Sequence, residues 1–262
     1  MNLKDKTALV TGASSGIGKS FAYLLASKGA HLVLVARTQA KLEEIANDIQ
    51  NTKQVSVHVY QKDLSQLNAA SELYEQLQKD QIDIDLLVNN AGYGKWGKFE
   101  DFSLEEYVKM IQLNVTSLME LCHLYVEDFR EKPAAGIINV GSTASFIPVP
   151  YSSVYAATKS FVLNFTEGLV GELSETNIKV FCLCPGGTAS NFATVANESG
   201  VDNSQAKLMS SDEVAQLGLD AFLAGKHYIV TGRRFQLILF KFLSRKRVLS
   251  MIADYWRKRL GV

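Results

Sequence analysis

Three glycines, Gly12, Gly16 and Gly18, follow directly on the apolar run 7–10 and directly precede an apolar-periodic stretch (Phe21, Leu24, Leu25) that stops at Gly29. No other feature constrains the fold of this chain so tightly. Strand, glycine turn and helix in that order form the context a phosphate-binding turn needs. Glycine lets the backbone turn sharply and come close to a ligand, and the helix that follows offers free N–H groups and the positive end of its dipole. The spacing is G-x-x-x-G-x-G rather than G-x-G-x-x-G. Gly12, Ser14, Ser15, Gly16, Ile17 and Gly18 are therefore candidate contacts to a dinucleotide pyrophosphate; the alternative is a glycine-rich turn without a ligand.

The same alternation continues. Residues 31–36 form a nearly continuous apolar run, as a parallel strand covered on both faces requires. A helix over 41–49, a strand over 55–60 and a helix from Ser65 to about Lys79 follow, then strands at 85–88, 136–140, 179–184 and 228–230. Strands alternating with helices predict an α/β fold, a doubly wound parallel sheet of seven strands flanked by helices. A length of 262 residues with 47% hydrophobic content and four prolines suits one such domain over residues 1–232.

The ends of these strands carry the candidate chemistry. In a site for NAD(H), the second strand usually ends on an acid that binds the ribose 2′-hydroxyl. Here Ala36 is followed by Arg37, with Lys41 one turn on, and a guanidinium suits a 2′-phosphate instead. That favours NADP(H) over NAD(H); the alternative for Arg37 is a solvated charge. Asp63, with Leu64, either accepts from the adenine amino group or caps the helix from Ser65. Asn89 and Asn90 end the fourth strand, where a carboxamide can bridge neighbouring backbones and let Ala91 and Gly92 pass close to a cofactor. Tyr155 and Lys159 are four apart on a helical run and share a face. A phenol with a pKa of about 10 exchanges protons poorly near neutrality, and a cation beside it favours the phenolate. Ser142 follows the fifth strand, at the edge where open α/β sheets bind ligands.

Taken together, Thr11-Gly12-x-x-x-Gly16-x-Gly18, Asn89-Asn90-Ala91-Gly92, Asn114, Ser142, Tyr155-x-x-x-Lys159 and Pro185-Gly186 resemble the short-chain dehydrogenase/reductase family, in order and spacing, over about residues 5–232. The resemblance implies a Rossmann-type fold and an NADP(H)-dependent oxidoreductase, a carbonyl reductase or alcohol dehydrogenase. It implies that Ser142 binds the substrate carbonyl, that Tyr155 gives or takes the proton, and that Lys159 holds the nicotinamide ribose while lowering the Tyr155 pKa. Asn114 would bend its helix and hold a water that links Lys159 to solvent; the alternative is an ordinary polar residue in a buried helix. Pro185, Gly186, Thr188 and Ser190 would hold the nicotinamide carboxamide, although Thr188 stands where many relatives have an apolar residue. The polar stretch 191–209 reads as a substrate lid, about 190–210, with Phe192, Val195, Ala196 and Val201 as its apolar contacts. Phe146, Ile147, Val149, Tyr151, Tyr93 and Trp96 would line the other walls, which suits an apolar ketone or aldehyde. A homodimer or homotetramer is the assembly the resemblance implies, with helices over about 101–130 and 153–175 as its interface. A dinucleotide-binding sensor or scaffold without turnover is the competing class, but such a protein would be expected to lack Tyr155, Lys159 or Ser142.

Three cysteines, Cys122, Cys182 and Cys184, and four scattered histidines form neither a disulfide framework nor a zinc motif. Residues 1–6 carry no signal-like run, and no stretch reaches the roughly 20 apolar residues of a membrane span, so a cytoplasmic protein is expected. Charge is balanced overall, 27 against 27, but from Arg233 onward nine Lys/Arg face the single acid Asp254. This basic extension, 233–262, groups Phe235, Leu239, Phe242 and Leu243 on one helical face and Leu249, Ile252, Ala253 and Trp256 on another. Packing on the same domain or on a partner subunit is expected; binding to an anionic membrane surface is the alternative. No nucleic-acid module accompanies the basic residues. Similar extensions in DltE-like and 3-oxoacyl reductase-like branches point to acyl-chain-like ketones.

Overall fold

A computed structural model describes residues 1–190, 192, 208–232, 239–240 and 242–261. The strands are β1 (Thr7–Thr11), β2 (His31–Ala36), β3 (Val57–Gln61), β4 (Leu86–Asn89), β5 (Ala135–Val140), β6 (Ile178–Cys184), β7 (Thr188–Ala189), β8 (Met209–Ser210) and β9 (Tyr228–Val230). Seven of them form one sheet in the order β3-β2-β1-β4-β5-β6-β9. Every pairing in it is parallel. β7 and β8 form a separate parallel pair. The helices are α1 (Gly16–Ser27), α2 (Gln39–Thr52), α3 (Ala69–Lys79), α4 (Leu104–Ile111), α5 (Ser117–Arg130), α6 (Ser153–Glu172), α7 (Ser211–Leu223) and α8 (Arg245–Leu260).

The apolar runs are continuous because both faces of the sheet are covered. Successive side chains along a strand point to opposite faces. Val10, Leu34, Val88 and Phe181 therefore pack with Phe21 and Leu25 of α1 and Phe222 of α7. Leu9, Val33, Leu87 and Ile137 pack on the other side with Leu73 of α3, Phe129 of α5 and Val162 of α6. The strand order reverses at β1, whose neighbours are β2 and β4. A crevice opens beyond the C-terminal ends of strands at such a switch point, and all the site motifs converge there.

Several local expectations shift. The third strand runs over Val57–Gln61, and α3 begins at Ala69 rather than Ser65 because Asp63 organises a turn there instead. The long helix expected over 101–130 is broken into α4, a π-helical turn at Gln112–Thr116, and α5. Asn114 sits in that turn, so the expected bend is present as an inserted wider turn. In α8, Val248 and Ile252 are buried whereas Leu249 is 44% exposed. The inward face is thus rotated from the expected Leu249, Ile252, Ala253, Trp256 grouping. Of the other expected tail face, Leu239 and Phe242 are exposed and Phe235 lies outside the described residues. Ser244 caps α8 by accepting from the Arg247 amide, and Gly261 ends it in the left-handed region. Among the described residues no helix is long and apolar enough to cross a membrane.

A buried polar chain fastens α6 to the sheet. Asn89 Nδ2 donates to Asn139 Oδ1 at 3.0 Å, and Asn139 Nδ2 donates to Thr166 Oγ1 at 3.0 Å. It joins β4, β5 and α6 away from solvent, Asn139 and Thr166 being fully buried. Asn139→Ala leaves the Asn89 amide and the Thr166 hydroxyl without these partners. At about 1–3 kcal/mol for each orphaned group, the variant is expected to lose about 2–4 kcal/mol in urea unfolding. A loss below about 1 kcal/mol would show that the chain of amides does not hold α6.

Candidate active site

The glycine turn is jammed against the end of β4. Gly12 has φ of +67°, and a Cβ there would lie 2.8 Å from Asn90 Nδ2. A Cβ on Gly18 would come within 2.4 Å of both that nitrogen and the Gly12 carbonyl oxygen. Only glycine fits at either place. The Asn90 amide answers by donating to the carbonyls of Thr11 at 3.0 Å and Gly12 at 3.3 Å. The Thr11 hydroxyl in turn accepts from the Asn90 and Ala91 amides, both at 3.0 Å. Ser14, Ser15, Gly16 and Ile17 then face a cavity of about 720 Å³ that runs along this edge of the sheet. Gly18 itself is buried beneath the turn, so its part is to permit the turn rather than to face the cavity.

Arg37, Asp63, Leu64, Asn90, Ala91 and Gly92 all line the same cavity. Asp63 caps no helix, since α3 starts only at Ala69; its carboxylate organises a turn instead. Its carboxylate accepts from the Ser65 amide and hydroxyl, at 3.0 and 2.7 Å, and from Gln66. Burial opposes its ionisation, but those bonds and nearby Arg37 outweigh burial and hold the carboxyl below its usual range. Thr38 and Lys62 join this end of the cavity. Sequence reasoning singles out neither, although Lys62 stands next to Asp63 at the end of β3. The residues present fit a phosphate-bearing dinucleotide: a glycine turn, a helix N-terminus and two cations, with no carboxylate ending β2.

Ser142, Tyr155 and Lys159 come together at the cavity's middle. The Ser142 hydroxyl lies near enough to the Tyr155 phenol to favour its ionised form. Ser142 Oγ also accepts from the Ala144 amide at 3.1 Å, which caps a 3₁₀ turn over Thr143–Phe146. That turn is sewn to α6 by Ser145 Oγ, which donates to the Lys159 carbonyl at 2.7 Å. Lys159 is buried, and its Nζ donates to the Val140 carbonyl at 2.8 Å. Burial raises the Tyr155 pKa to about 12, with Ser142 acting the other way. Burial likewise lowers that of Lys159 to about 8. In the chain alone burial dominates both groups, and the ammonium is bonded to Val140, 6.0 Å from the Tyr155 ring centre.

Asn114 is tied to the loop that follows β4. Its Oδ1 accepts from the Tyr93 amide at 3.1 Å, and its Nδ2 donates to the Tyr93 carbonyl at 2.9 Å and Thr158 Oγ1 at 3.1 Å. Both donor hydrogens are used, so the side chain anchors the 93–98 loop. Lys95 reinforces that loop: its Nζ pairs with Glu106 at 2.9 Å, and its carbonyl accepts from Ser152 at 2.9 Å. Pro185, Gly186, Thr188 and Ser190 line the cavity after β6, as expected.

The remaining wall is largely apolar. Tyr93, Trp96, Ile147 and Val149 line it, whereas Phe146 packs on Tyr228 and Tyr151 is not on the wall. Phe192 lies with its ring 5.4 Å from that of Tyr155. The other lid candidates, Val195, Ala196 and Val201, lie outside the described residues. Helix α8 closes the cleft with Ile252, Tyr255, Trp256 and Arg259, spaced i, i+3, i+4 and i+7 on one face. Trp256 packs on Trp96 with ring centres 5.4 Å apart. Tyr255 and Arg259 escape an apolar reading of the tail, although their spacing from Ile252 and Trp256 is the signal that marks them.

The sequence pattern of the short chain dehydrogenase family matches residues 6–200. The chain belongs to that family and is an oxidoreductase of it, and its members use a nicotinamide dinucleotide. It is 33% identical over 235 residues, 87% of its length and 91% of the relative's, to the NADP-dependent 3-hydroxy acid dehydrogenase of Schizosaccharomyces pombe. A short-chain dehydrogenase from Sphingobium yanoikuyae, solved with NADPH, superposes with a TM-score of 0.81 at 30% identity, over 91% of this chain and 96% of that one. The bulky-bulky ketone specific alcohol dehydrogenase from Comamonas testosteroni superposes with a TM-score of 0.79 at 29% identity, over 93% and 96%.

The buried lysine carries a stability cost with a definite pH signature. Its pKa falls from 10.5 in the open chain to about 8 in the folded one. Between those values the unfolded chain binds more protons, so stability rises with pH. Relative to Lys159→Met, the cofactor-free wild type should gain about 2 kcal/mol of unfolding free energy between about pH 7 and pH 10. Parallel pH profiles for the two proteins would refute the burial argument.

Proposed function

We propose that this chain interconverts an apolar ketone or aldehyde and its alcohol with NADP(H). The observation that carries this reading is that the Ser142 hydroxyl, the Tyr155 phenol and buried Lys159 line one largely apolar cleft. When bound, the nicotinamide supplies or removes the hydride. The glycine turn and the N-terminus of α1 would hold its pyrophosphate, Arg37 and Lys62 its 2′-phosphate, and Pro185, Gly186, Thr188 and Ser190 its carboxamide end. NADP(H) is favoured over NAD(H) because no acid ends β2, and the Schizosaccharomyces relative and the Sphingobium structure agree with that choice.

In reduction, negative charge grows on the carbonyl oxygen. Ser142 and Tyr155 donate to that oxygen, and one such donor is typically worth roughly 100- to 1,000-fold in rate. Tyr155 gives up its proton, and burial keeps the phenol protonated at neutral pH until a substrate arrives. Lys159 holds a positive charge behind the phenol and stabilises the phenolate as it forms. We assign Asn114 a positioning role, since it fixes the Tyr93 backbone and lies against Gly92, where a Cβ would meet both Asn114 Oδ1 at 3.0 Å and Lys159 Nζ at 3.3 Å. Water exclusion falls to Trp96, Phe192 and α8.

One assay tests the reading: oxidation of NADPH and of NADH with a panel of apolar ketones, in the wild type, Tyr155→Phe and Arg37→Glu. Tyr155→Phe should lower kcat by about 100-fold or more. Arg37→Glu should raise the KM for NADPH at least about tenfold and leave NADH little changed. Undiminished turnover by Tyr155→Phe would sink the catalytic assignment. Equal use of both cofactors by the wild type would sink the preference.

A further inference from the structure

Helix α8 has two unlike faces. Ile252, Tyr255, Trp256 and Arg259 turn toward the cleft. At about 100° per residue, Lys246, Arg247, Ser250, Asp254, Arg257 and Lys258 lie on the opposite side, and all six are exposed. The helix carries six Lys/Arg against the one acid Asp254, which pairs with Arg257. Among the described residues no carboxylate stands within ion-pair distance of Arg245, Lys246, Arg247 or Lys258.

An apolar rim borders these cations. Leu208, Met251 and Tyr255 line the cleft and are yet 39%, 51% and 40% exposed, so they form its mouth. Just before α8 the backbone turns, the Phe242 amide donating to the Leu239 carbonyl at 3.1 Å. Phe240 of that turn lines the cleft, whereas Leu239 and Phe242 are 49% and 83% exposed. Exposed apolar side chains grouped at the mouth of a cleft mark an interaction surface. A polyanion such as RNA would use the cations and leave the rim in water. A second copy seated on the rim would seal the mouth. A bilayer with acidic headgroups uses both features, the cations among the headgroups and the rim in the acyl boundary, and leaves an apolar path into the cleft.

We propose that α8 and the turn before it dock the protein on an anionic lipid bilayer, with the mouth of the cleft toward the membrane. Lys246, Arg247 and Lys258 meet the headgroups, and Leu239, Phe242 and Met251 enter the acyl boundary. Stable attachment takes both signals, since a few apolar side chains or a few cations alone bind only marginally. The contact is peripheral, because among the described residues no helix is long and apolar enough to cross a membrane. Docking holds whatever the cleft turns over. Resting on the reading of a carbonyl-reducing cleft, an apolar ketone then passes from bilayer to Ser142 and Tyr155 without crossing water.

Co-sedimentation of the full chain with sucrose-loaded vesicles tests the docking without turnover. The vesicles are phosphatidylcholine alone, or phosphatidylcholine with one-third phosphatidylserine. Wild type should bind the anionic vesicles at least about tenfold more tightly than the neutral ones, and raised salt should release it. The triple variant Lys246→Glu, Arg247→Glu, Lys258→Glu should bind about 100-fold or more weakly. Phe242→Ser should weaken binding at least about threefold. A control triple, Lys28→Glu, Lys53→Glu, Lys79→Glu, changes net charge equally at the C-terminal ends of α1, α2 and α3. It should weaken binding less than about threefold. NADPH affinity and urea unfolding should match wild type throughout. If the α8 triple does not fold, Phe242→Ser and the lipid and salt dependence of the wild type still decide. Equal binding to both vesicles, binding to neither, or a control triple as weak as the α8 triple would each overturn the docking face. So would tighter binding to polyuridylate than to the anionic vesicles, which would give the face to nucleic acid. A change of oligomeric state by the α8 triple in sedimentation velocity would overturn it too, giving the face to a second copy.

Discussion

The contact between the glycine turn after β1 and Asn90 at the end of β4 is the constraint on which the rest of the site depends. Cβ atoms at Gly12 and Gly18 would fall 2.8 and 2.4 Å from the Asn90 amide nitrogen, well inside any tolerable approach. Without side chains there, β1 and β4 draw together at the point where strand order reverses. That closeness sets the floor of the crevice and places α1's free amides at one end of it. It also delivers Gly92 beside Lys159, so the glycine turn and the cluster of Ser142, Tyr155 and Lys159 line one cavity.

At the reacting end, burial outweighs charge. The Tyr155 phenol rises to about 12 and the Lys159 ammonium falls to about 8, both chiefly through loss of water. Two polar groups kept in such a place cost stability, which is the usual trade at a functional site. The surrounding bonds show how that cost is borne. Val140 accepts from Lys159, Ser145 ties the following turn to α6, and the Asn89–Asn139–Thr166 chain holds α6 to the sheet.

Most of the fold is legible in the sequence because both-face burial leaves apolar runs that cannot be mistaken for half-exposed strands. The site motifs are legible too, since each lies at a strand end or in one helical turn, where spacing alone determines neighbourhood. The rest depends on contacts distant in sequence. That Asn114 spends its amide on the Tyr93 backbone follows from a π turn that no local pattern announces. That Lys159 reaches Val140 rather than leaning on the phenol is a matter of where α6 crosses β5. The inward face of α8 departs from the expected stripe because its periodicity is weak. Leu249 turns outward, and the stripe Ile252, Tyr255, Trp256, Arg259 meets the cleft instead. An apolar count underrates such a stripe, since it contains one aliphatic residue, two aromatics and a cation.

In the proposed reaction this cleft passes a hydride to a carbonyl carbon while Tyr155 protonates the oxygen. The most direct measurement reduces a ketone substrate with NADPH deuterated at the transferring position and locates the label in the product by NMR. One deuteron is expected on the carbinol carbon, delivered to a single face. With both C4 hydrogens of the dihydronicotinamide replaced by deuterium, alcohol that carries no deuterium on its carbinol carbon would contradict direct hydride transfer.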